Sequence, residues 1–404
     1  MGGEVYRFDD CELHTSSFQL LRDGQPVHVE PRALDVLRHL IEHRDRVVSK
    51  EEILDQCWGD TYVSEAALTT ALRTARIAVG DSGAEQRVIR TIQRRGYRFV
   101  AAVEARVDGG VRQTTVERVD AAGASQSIRY CTAADGARIA YATVGDGPPL
   151  LKAANWMTHV DLEWSSPVWS HWLHGLARDR RLIRYDERGC GMSDWDVPSF
   201  TFDDWVDDLE TVVDAVGLDR FPLLGVSQGG AVAIAYAVRH PERVSRLILA
   251  GSYARGRQVR ASNDHERAEA ALDLDLARVG WARQDPSFLR VFATQFLPDG
   301  TSDDWADFTD FQRRTTSPEN AVRFLEAFAR IDVSDIAGSV SCPTLVLHAR
   351  DDVRVPASQA KELAALIPDS RLALLDSSNH LLSADEPAWP EFLRFIDDFL
   401  AEGE

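Results

Sequence analysis

Apolar and polar residues alternate in four short runs at the start of the chain, at 5–8, 12–14, 18–21 and 27–29, with Asp23-Gly24 as a turn before the last. A period of two over runs this short predicts a small antiparallel sheet. The period then lengthens. Pro31 suits the first position of a helix, and Leu34, Leu37, Leu40 and Ile41 mark one face of it. Ser49 and Glu52 have the spacing of a capping box, opening a second helix through Ile53, Leu54 and Cys57. Ser64 caps a third, whose core face is Leu68, Ala71, Leu72, Ala75 and Val79. The opposite face carries Ala66, Thr70, Arg73 and Ile77, with Arg76 on the flank. Runs at 88–92 and 97–100 then predict a hairpin turning through Gln93-Arg94-Arg95-Gly96.

The pattern changes twice more. Residues 102–127 hold few large apolar side chains and no clean period, so they are expected to be a linker. Residues 128–404 alternate β-rich runs with helical stretches, which predicts a largely parallel sheet. Within it, 252–341 breaks the rhythm with helical segments rich in aromatics: Trp281, Phe288, Phe292, Phe296, Trp305, Phe308, Phe311, Phe324 and Phe328.

Charge narrows the function. The 404 residues carry 45 Lys+Arg and 64 Asp+Glu, a formal net of −19, which repels nucleic acid and anionic membrane unless a basic surface is set apart. One window does so: residues 66–101 hold seven arginines and two acids. No apolar run reaches the length of a membrane span, and MGGEVYRFDD lacks the marks of a signal peptide. Five scattered cysteines without a CxxC pair fit reduced thiols, so a cytoplasmic protein is expected. No ligand-spaced His/Cys cluster or phosphate-cradling glycine loop is legible, so neither metal nor cofactor is implied.

Two helices, the second presenting small and basic residues, followed by a basic hairpin, have the order of a winged helix-turn-helix. Residues 1–101 resemble the C-terminal effector domain of OmpR-type transcription regulators. The leading sheet, VSKEEILDQCW, TYVSEAALTTALRTARIAVGD and VIRTIQRRGYRFVA carry the resemblance. It implies double-stranded DNA as partner and a recognition helix at 64–79. The expected DNA-contacting residues are Thr70, Arg73 and Arg76, with Arg94, Arg95, Tyr97 and Arg98 in the wing. Thr74 stands where the family usually carries a further arginine. No receiver domain is expected before this domain and no membrane span after it. A homodimer is expected, and RNA polymerase is a candidate partner.

The second chemistry lies at 220–240. RFPLLGV reads as a strand buried on both faces, and AVAIAYAVRH as a helix stopping before Pro241. Between them, Gly225-Val226-Ser227-Gln228-Gly229 is G-x-S-x-G in the context of a nucleophile elbow. Side chains at 225 and 229 would crowd the strained turn, and the helix N-terminus supports developing negative charge. A serine needs a base and an orienting acid, in the order Ser, acid, His. Asp351 and Asp352 follow the strand at 342–348; Asp352, four before Pro356, is preferred. His380 follows the next strand, at 371–375, and is the expected base. The long interval from Ser227 to Asp352 leaves room for a cap at about 252–341.

Residues 128–404 resemble the α/β-hydrolase superfamily, whose members include esterases, lactonases, dehalogenases and cofactor-free haloperoxidases. The triad, the DERGCGMSD loop at 186–194 and HPERVSRLILAG at 240–251 carry the resemblance. It implies Ser227 as nucleophile, His380 as base and Asp352 as its orienter. The oxyanion donors would be the backbone N–H groups of Gln228 and Trp156. The family usually writes His-Gly-x where this chain has Ala154-Asn155-Trp156, and Asn155 tolerates positive φ better than most residues. His159 is expected to be structural, and Asp303, Asp304 and Asp307 solvated. The expected architecture is therefore multidomain: an α+β winged helix-turn-helix, then an α/β-hydrolase fold with a helical cap. Three functions compete. The first is a regulator whose second domain senses or hydrolyses a small, partly apolar ester or lactone; the others are a plain serine hydrolase and a catalytically silent ligand-binding relative.

Overall fold

The alternating runs at the start of the chain pair as antiparallel strands. The computed structural model describes residues 4–15, 19–22, 24–27, 29–58, 65–93, 95–107, 116–119, 125–197, 200–283, 285 and 287–402. Strands β1 (Glu4–Phe8), β2 (Cys11–His14), β3 (Gln19–Arg22) and β4 (Gln25–Val27) form a meander. β4 lies two residues earlier than the pattern predicts. Gly24, at φ +73°, closes the turn at once, so Arg22 pairs with Gln25 and Leu20 with Val27. Val29 leaves the sheet and packs half-buried against the core.

Helices α1 (Pro31–Glu42), α2 (Lys50–Trp58) and α3 (Glu65–Ala78) follow. Leu34, Leu37, Leu40 and Ile41 are buried, as are Leu68, Ala71, Leu72, Ala75 and Val79, so the apolar period marks the core faces correctly. Half of the capping box forms: Ser49 Oγ accepts from the Glu52 N–H at 3.0 Å, but the Glu52 carboxylate takes Arg46 and His39 instead. The cap expected at Ser64 lies outside the described residues. β5 (Ile89–Ile92) and β6 (Gly96–Phe99) form the hairpin, with Ile92 opposite Gly96. Gly96 is obligatory, because at φ +134° a β-carbon there would strike the Val48 carbonyl.

One carboxylate ties α3 to that hairpin. Asp81 Oδ1 accepts from the N–H groups of Ser82 (2.8 Å) and Arg87 (2.9 Å), and Oδ2 from those of Val88 and Ile89 (both 2.9 Å). Burial alone would raise its pKa, but the four backbone donors hold the carboxyl below its ordinary value.

The linker expectation at 102–127 needs correction. β7 (Glu104–Val107) pairs antiparallel with β1 as the fifth strand of the first sheet. The open edge of β1 offers unpaired backbone groups, and a short strand can satisfy them without any apolar run for the eye to catch. β8 (Val116–Val119) belongs to the second sheet, and the chain divides into two compact units between Val116 and Glu117.

The second unit is built on a nine-stranded sheet. Its remaining strands are β9 (Ser125–Thr132), β10 (Arg138–Val144), β11 (Pro149–Lys152), β12 (Arg181–Tyr185), β13 (Phe221–Val226), β14 (Val244–Ala250), β15 (Thr344–Ala349) and β16 (Ser370–Leu375). The order is β16-β15-β14-β13-β11-β12-β10-β9-β8. From β12 to β16 every pairing is parallel, and β9, β10 and β12 pair antiparallel. All six residues of β15 are buried, as befits a strand covered on both faces. After β11 the chain adds β12 on one side and then β13 on the other. The crevice between the carboxyl ends of β11 and β13 is therefore a topological switch point.

Helices α4 (Ser170–Ala177), α5 (Phe202–Val216) and α6 (Gly229–Arg239) punctuate this half of the sheet. Between β14 and β15 come six further helices: α7 (Arg257–Arg260), α8 (Asp264–Gly280), α9 (Ser287–Phe296), α10 (Ser302–Thr315), α11 (Pro318–Arg330) and α12 (Ser334–Ala337). They form the expected helical cap. Asp303 and Asp307 are exposed, but Asp304 is not simply solvated: its carboxylate accepts from the Thr301 N–H at 2.8 Å and caps α10. α13 (Ala357–Leu366) and α14 (Ala388–Ala401) complete the fold. No helix among the described residues is long and apolar enough to cross a membrane.

Replacing Asp81 with Asn is expected to destabilise the first unit by about 1–3 kcal/mol at neutral pH, because all four backbone donors lose the carboxylate charge and two of them face an NH2 group instead of an acceptor. The folded pKa of Asp81 is depressed, so its contribution is full at neutral pH and is lost as the solution is acidified through that value. Urea unfolding of wild type and Asp81→Asn should therefore differ at pH 7 and converge in acid; equal midpoints at pH 7 would contradict the assignment.

Candidate active site and nucleic-acid interface

Ser227 sits where β13 turns into α6, and its backbone is held at φ +53°, a region side-chain-bearing residues seldom occupy. The neighbouring glycines make this possible. A β-carbon on Gly225 would lie 2.5 Å from Gly230 Cα, and one on Gly229 would strike the Ala154 carbonyl. Gly230 has no more room, since a β-carbon there would meet Ser252 Oγ. The elbow thus needs glycine at 225, 229 and 230, one position more than the G-x-S-x-G pattern names.

His380 Nδ1–H donates to Asp352 Oδ2 at 2.7 Å, which leaves Nε2 to accept from the Ser227 hydroxyl at 2.9 Å. All three side chains are buried. Asp352 Oδ1 accepts from the backbone N–H groups of Arg354 (2.8 Å) and Val355 (2.9 Å), so the carboxylate is fixed in direction. Burial would raise its pKa, but the His380 charge and hydrogen bond, with the Val355 N–H, hold it below the ordinary value. Asp351 is exposed, and of the two acids it is Asp352 that lies against His380. His348 Nε2 donates to the Val355 carbonyl at 2.7 Å and braces the same loop; burial pulls its pKa down.

The oxyanion assignment needs a correction. The Trp156 N–H is already used: it donates to Gln228 Oε1 at 2.8 Å. The Gln228 amide is itself anchored, its Nε2 donating to Glu187 Oε1. Glu187 is fully buried, and burial pushes its pKa up to about 8. The side chain that follows the nucleophile therefore fills the place expected for a ligand oxygen at Trp156. The positive φ expected at Asn155 falls instead on Met157, at +52°. Asn155 serves a different purpose, its Oδ1 accepting from the buried Lys152 ammonium. His159 is half-buried; its Nδ1 accepts from the Leu162 N–H at 3.2 Å, and desolvation pulls its pKa down to about 4.

A cavity partly open to solvent lies over Ser227 and Gln228. Of the cap aromatics, Phe296 and Phe328 line it together with Trp156. Trp281, Phe292, Phe308, Phe311 and Phe324 are buried in the hydrolase-unit core, and Phe288 and Trp305 are half-buried. Sequence reasoning missed the polar part of the lining: Arg257, Arg260, Arg354 and Asp273. The basic run ARGRQVR directly after β14, and an arginine two residues past the triad acid, were the available signals.

On the first unit, Thr70 and Arg73 are exposed on α3, and Arg95 is exposed in the hairpin turn. Arg90, not singled out from the sequence, is exposed on β5 opposite Arg98. Two expected DNA contacts are engaged internally. Arg76 donates from Nη2 to the Ile89 carbonyl (3.0 Å) and to Thr91 Oγ1 (2.9 Å), clamping α3 to the wing. Arg98 is exposed but turns back to the carbonyls of Arg44 (3.3 Å) and Asp45 (3.4 Å). Both lie beside carbonyls left open at a turn or strand end, which a guanidinium satisfies at short range. Tyr97 is half-buried, and its backbone bridges Val48 with two 2.8 Å hydrogen bonds. Arg94 lies outside the described residues.

Among the described residues, metal donors come together in one place that the sequence did not point to: His39 and Glu42 on α1 and His43 just past its end. The rings lie 4.3 Å apart, but His39 Nε2 contacts Glu52 at 3.2 Å and His43 Nδ1 donates to the His39 carbonyl at 2.9 Å. We read the group as the histidine-rich flank of a packed helix.

A serine elbow at a switch point of a mostly parallel sheet, under a helical cap, defines an α/β hydrolase. The chain belongs to the alpha/beta hydrolase fold family, whose model matches residues 159–387. Residues 24–99 match a second model, transcriptional regulatory protein, C terminal, so an OmpR-type winged-helix domain precedes the hydrolase domain. Among relatives, a RutD protein of Rhizobium rhizogenes, assigned as a carbamate hydrolase, is 28% identical over 230 residues, covering 55% of this chain and 84% of that protein. A pyrrolizixenacetamide deacetylase of Xenorhabdus hominickii is 27% identical over 264 residues, covering 65% of this chain and 95% of its own. Among solved structures, the esterase RhEst1 of a Rhodococcus species matches with a TM-score of 0.55 at 26% identity, over 68% of this chain and 98% of that one. The esterase EaEST of Exiguobacterium antarcticum matches with a TM-score of 0.57 at 24% identity, over 67% and 98%.

The strain at the elbow has a measurable consequence. Ser227→Gly and Ser227→Ala both remove the hydroxyl, but only glycine accepts φ +53° without cost. The glycine variant is expected to be more stable than the alanine variant by about 1 kcal/mol, read from urea unfolding of the hydrolase unit. An alanine variant as stable as the glycine variant would mean that the elbow is not strained.

Proposed function

We propose that the chain is a DNA-binding transcription regulator whose hydrolase domain takes a small, partly apolar ester- or lactone-like ligand. Turnover runs through Ser227, with His380 as base and Asp352 as its orienter. The observation that carries this reading is the continuous hydrogen-bonded line from Ser227 Oγ through both nitrogens of His380 to Asp352. In it, His380 Nε2 takes the serine proton as Oγ attacks the carbonyl carbon, an acyl-enzyme forms, and the alcohol leaves with that proton. Water then repeats the sequence. Asp352 keeps the imidazole in the required tautomer and offsets its charge. The Gln228 backbone N–H at the start of α6 supports the developing oxyanion. The amide and carbamate chemistry in the relatives' names is compatible with the same acyl transfer.

DNA recognition is assigned to Thr70, Arg73 and Arg95, which are exposed. Arg76 and Arg98 act in this reading by shaping the wing. A cytoplasmic homodimer that contacts RNA polymerase is part of the same proposal. For regulation, ligand occupancy must favour one DNA-binding state over another, since equal affinity for both shifts nothing.

A second reading has one observation in its favour. With the Trp156 N–H held by the Gln228 amide, the pocket has one fewer oxyanion donor than acyl transfer usually employs, which suits sensing by occupancy alone. Mobility shifts with the chain's own upstream genomic DNA separate the cases. Arg73→Ala is expected to weaken binding and to lower the salt slope by roughly one, as for a lost phosphate contact. If an ester ligand alters DNA affinity in wild type and Ser227→Ala alike, occupancy is the signal. If the response vanishes in Ser227→Ala, turnover is the signal. A chain that ignores its upstream DNA and binds no genomic site would refute the regulator reading.

A further inference from the structure

The cavity over Ser227 holds more positive charge than its walls neutralise. Three guanidinium groups line it, Arg257, Arg260 and Arg354, against one carboxylate, Asp273. Arg354 Nη1 lies 2.7 Å from Asp273 Oδ2, and Arg257 Nη1 lies 2.9 Å from the same oxygen. One carboxylate thus answers two cations. Arg260 has none among the described residues: its Nη1 donates to the Arg255 carbonyl at 3.3 Å, and its guanidinium lies 5.5 Å from the Tyr253 ring centroid. Arg255, which could have shared a counter-ion with it, is committed to Glu362 at 2.7 Å.

Placing these cations together costs the fold free energy. Burial, followed by the neighbouring Arg354, pulls Arg257 down to about 10, and burial pulls Arg260 in the same direction. A desolvated cation without a partner is a cost to the fold that a bound anion would remove. A guanidinium presents a planar fork of donors, which matches a carboxylate in bidentate geometry. The remaining walls, including Leu274, Phe296, Leu325 and Phe328, are apolar and suit a hydrocarbon body between two polar ends.

We propose that the ligand is a carboxylate-bearing ester or lactone, its carboxylate paired with Arg260 and its acyl carbonyl at Ser227. This rests on the reading of Ser227 as the ligand-facing serine and refines it by fixing the charge of the substrate. Arg257 and Arg354, held by Asp273, add long-range attraction but keep their own partner. Among the described residues that line the cavity, Arg260 is the guanidinium with no carboxylate beside it, so it is the one assigned to the ligand's carboxylate.

Monoethyl adipate and diethyl adipate share a skeleton and differ in that charge. Their binding to the full chain carrying Ser227→Ala, followed by calorimetry, tests the proposal without depending on turnover. The monoacid is expected to bind at least about ten-fold more tightly than the diester, and the preference to shrink as salt rises. The ratio is expected to fall below about two-fold when Arg260→Gln is added, and to stay in favour of the monoacid with Arg260→Lys. Equal affinities, no binding of either ester, or a ratio untouched by Arg260→Gln would overturn it. The two readings fail separately. A wild-type Ser227 inert to a fluorophosphonate, with the monoacid preference intact, would remove the catalytic reading and leave this one. A reactive Ser227 without the preference would do the reverse.

Discussion

A β-carbon held at positive φ stays there only if its surroundings leave no other choice, and at Ser227 they leave none. The parallel pairing of β13 with β11 and β14 fixes the strand that delivers the serine. Three glycines pressed against Ala154, Ser252 and each other fix the turn that follows. The same turn starts α6, so the serine oxygen is presented at a helix N-terminus and at the switch point of the sheet. His380 and Asp352 arrive on loops after β16 and β15; the register of β15 on β14, and of β16 on β15, sets how far those loops must reach. The cavity, its cap and its excess charge matter only because one strained residue points into them.

Much of this was legible from the chain. The elbow could be read because the chemistry demands particular residue types at fixed intervals and the flanking strand and helix are strongly apolar. Asp352 and His380 could be read because each follows a strand, Asp352 the buried β15 and His380 the edge strand β16. The core faces of α1 and α3 followed from apolar periodicity. What escaped was set by tertiary contact. β7 has no pattern of its own and exists because β1 has an open edge. The engagement of the Trp156 N–H by Gln228 depends on a glutamate forty-one residues away in sequence, at 187. Arg76 looks like a DNA contact on a helical wheel, and only the folded hairpin shows the Ile89 carbonyl and Thr91 hydroxyl that claim it.

Charge gives the two units opposite tasks. The formal net of −19 makes the whole chain a poor match for nucleic acid, and the exposed arginines on α3 and the hairpin stand against that background. In the hydrolase unit the cations are placed inside, around the cavity, where low polarity strengthens their attraction for an anion. Surface arginines lose their pull with added salt, while enclosed ones keep more of theirs.

The turnover proposed for the cavity requires that the line running to Asp352 chemically activate Ser227. Intact-protein mass spectrometry after brief exposure to a fluorophosphonate measures this directly. One adduct per chain, mapped to Ser227 and formed about a hundred-fold or more slowly in Asp352→Asn, is the predicted result. No adduct on the wild-type chain, or one that forms equally fast in Asp352→Asn, would contradict it.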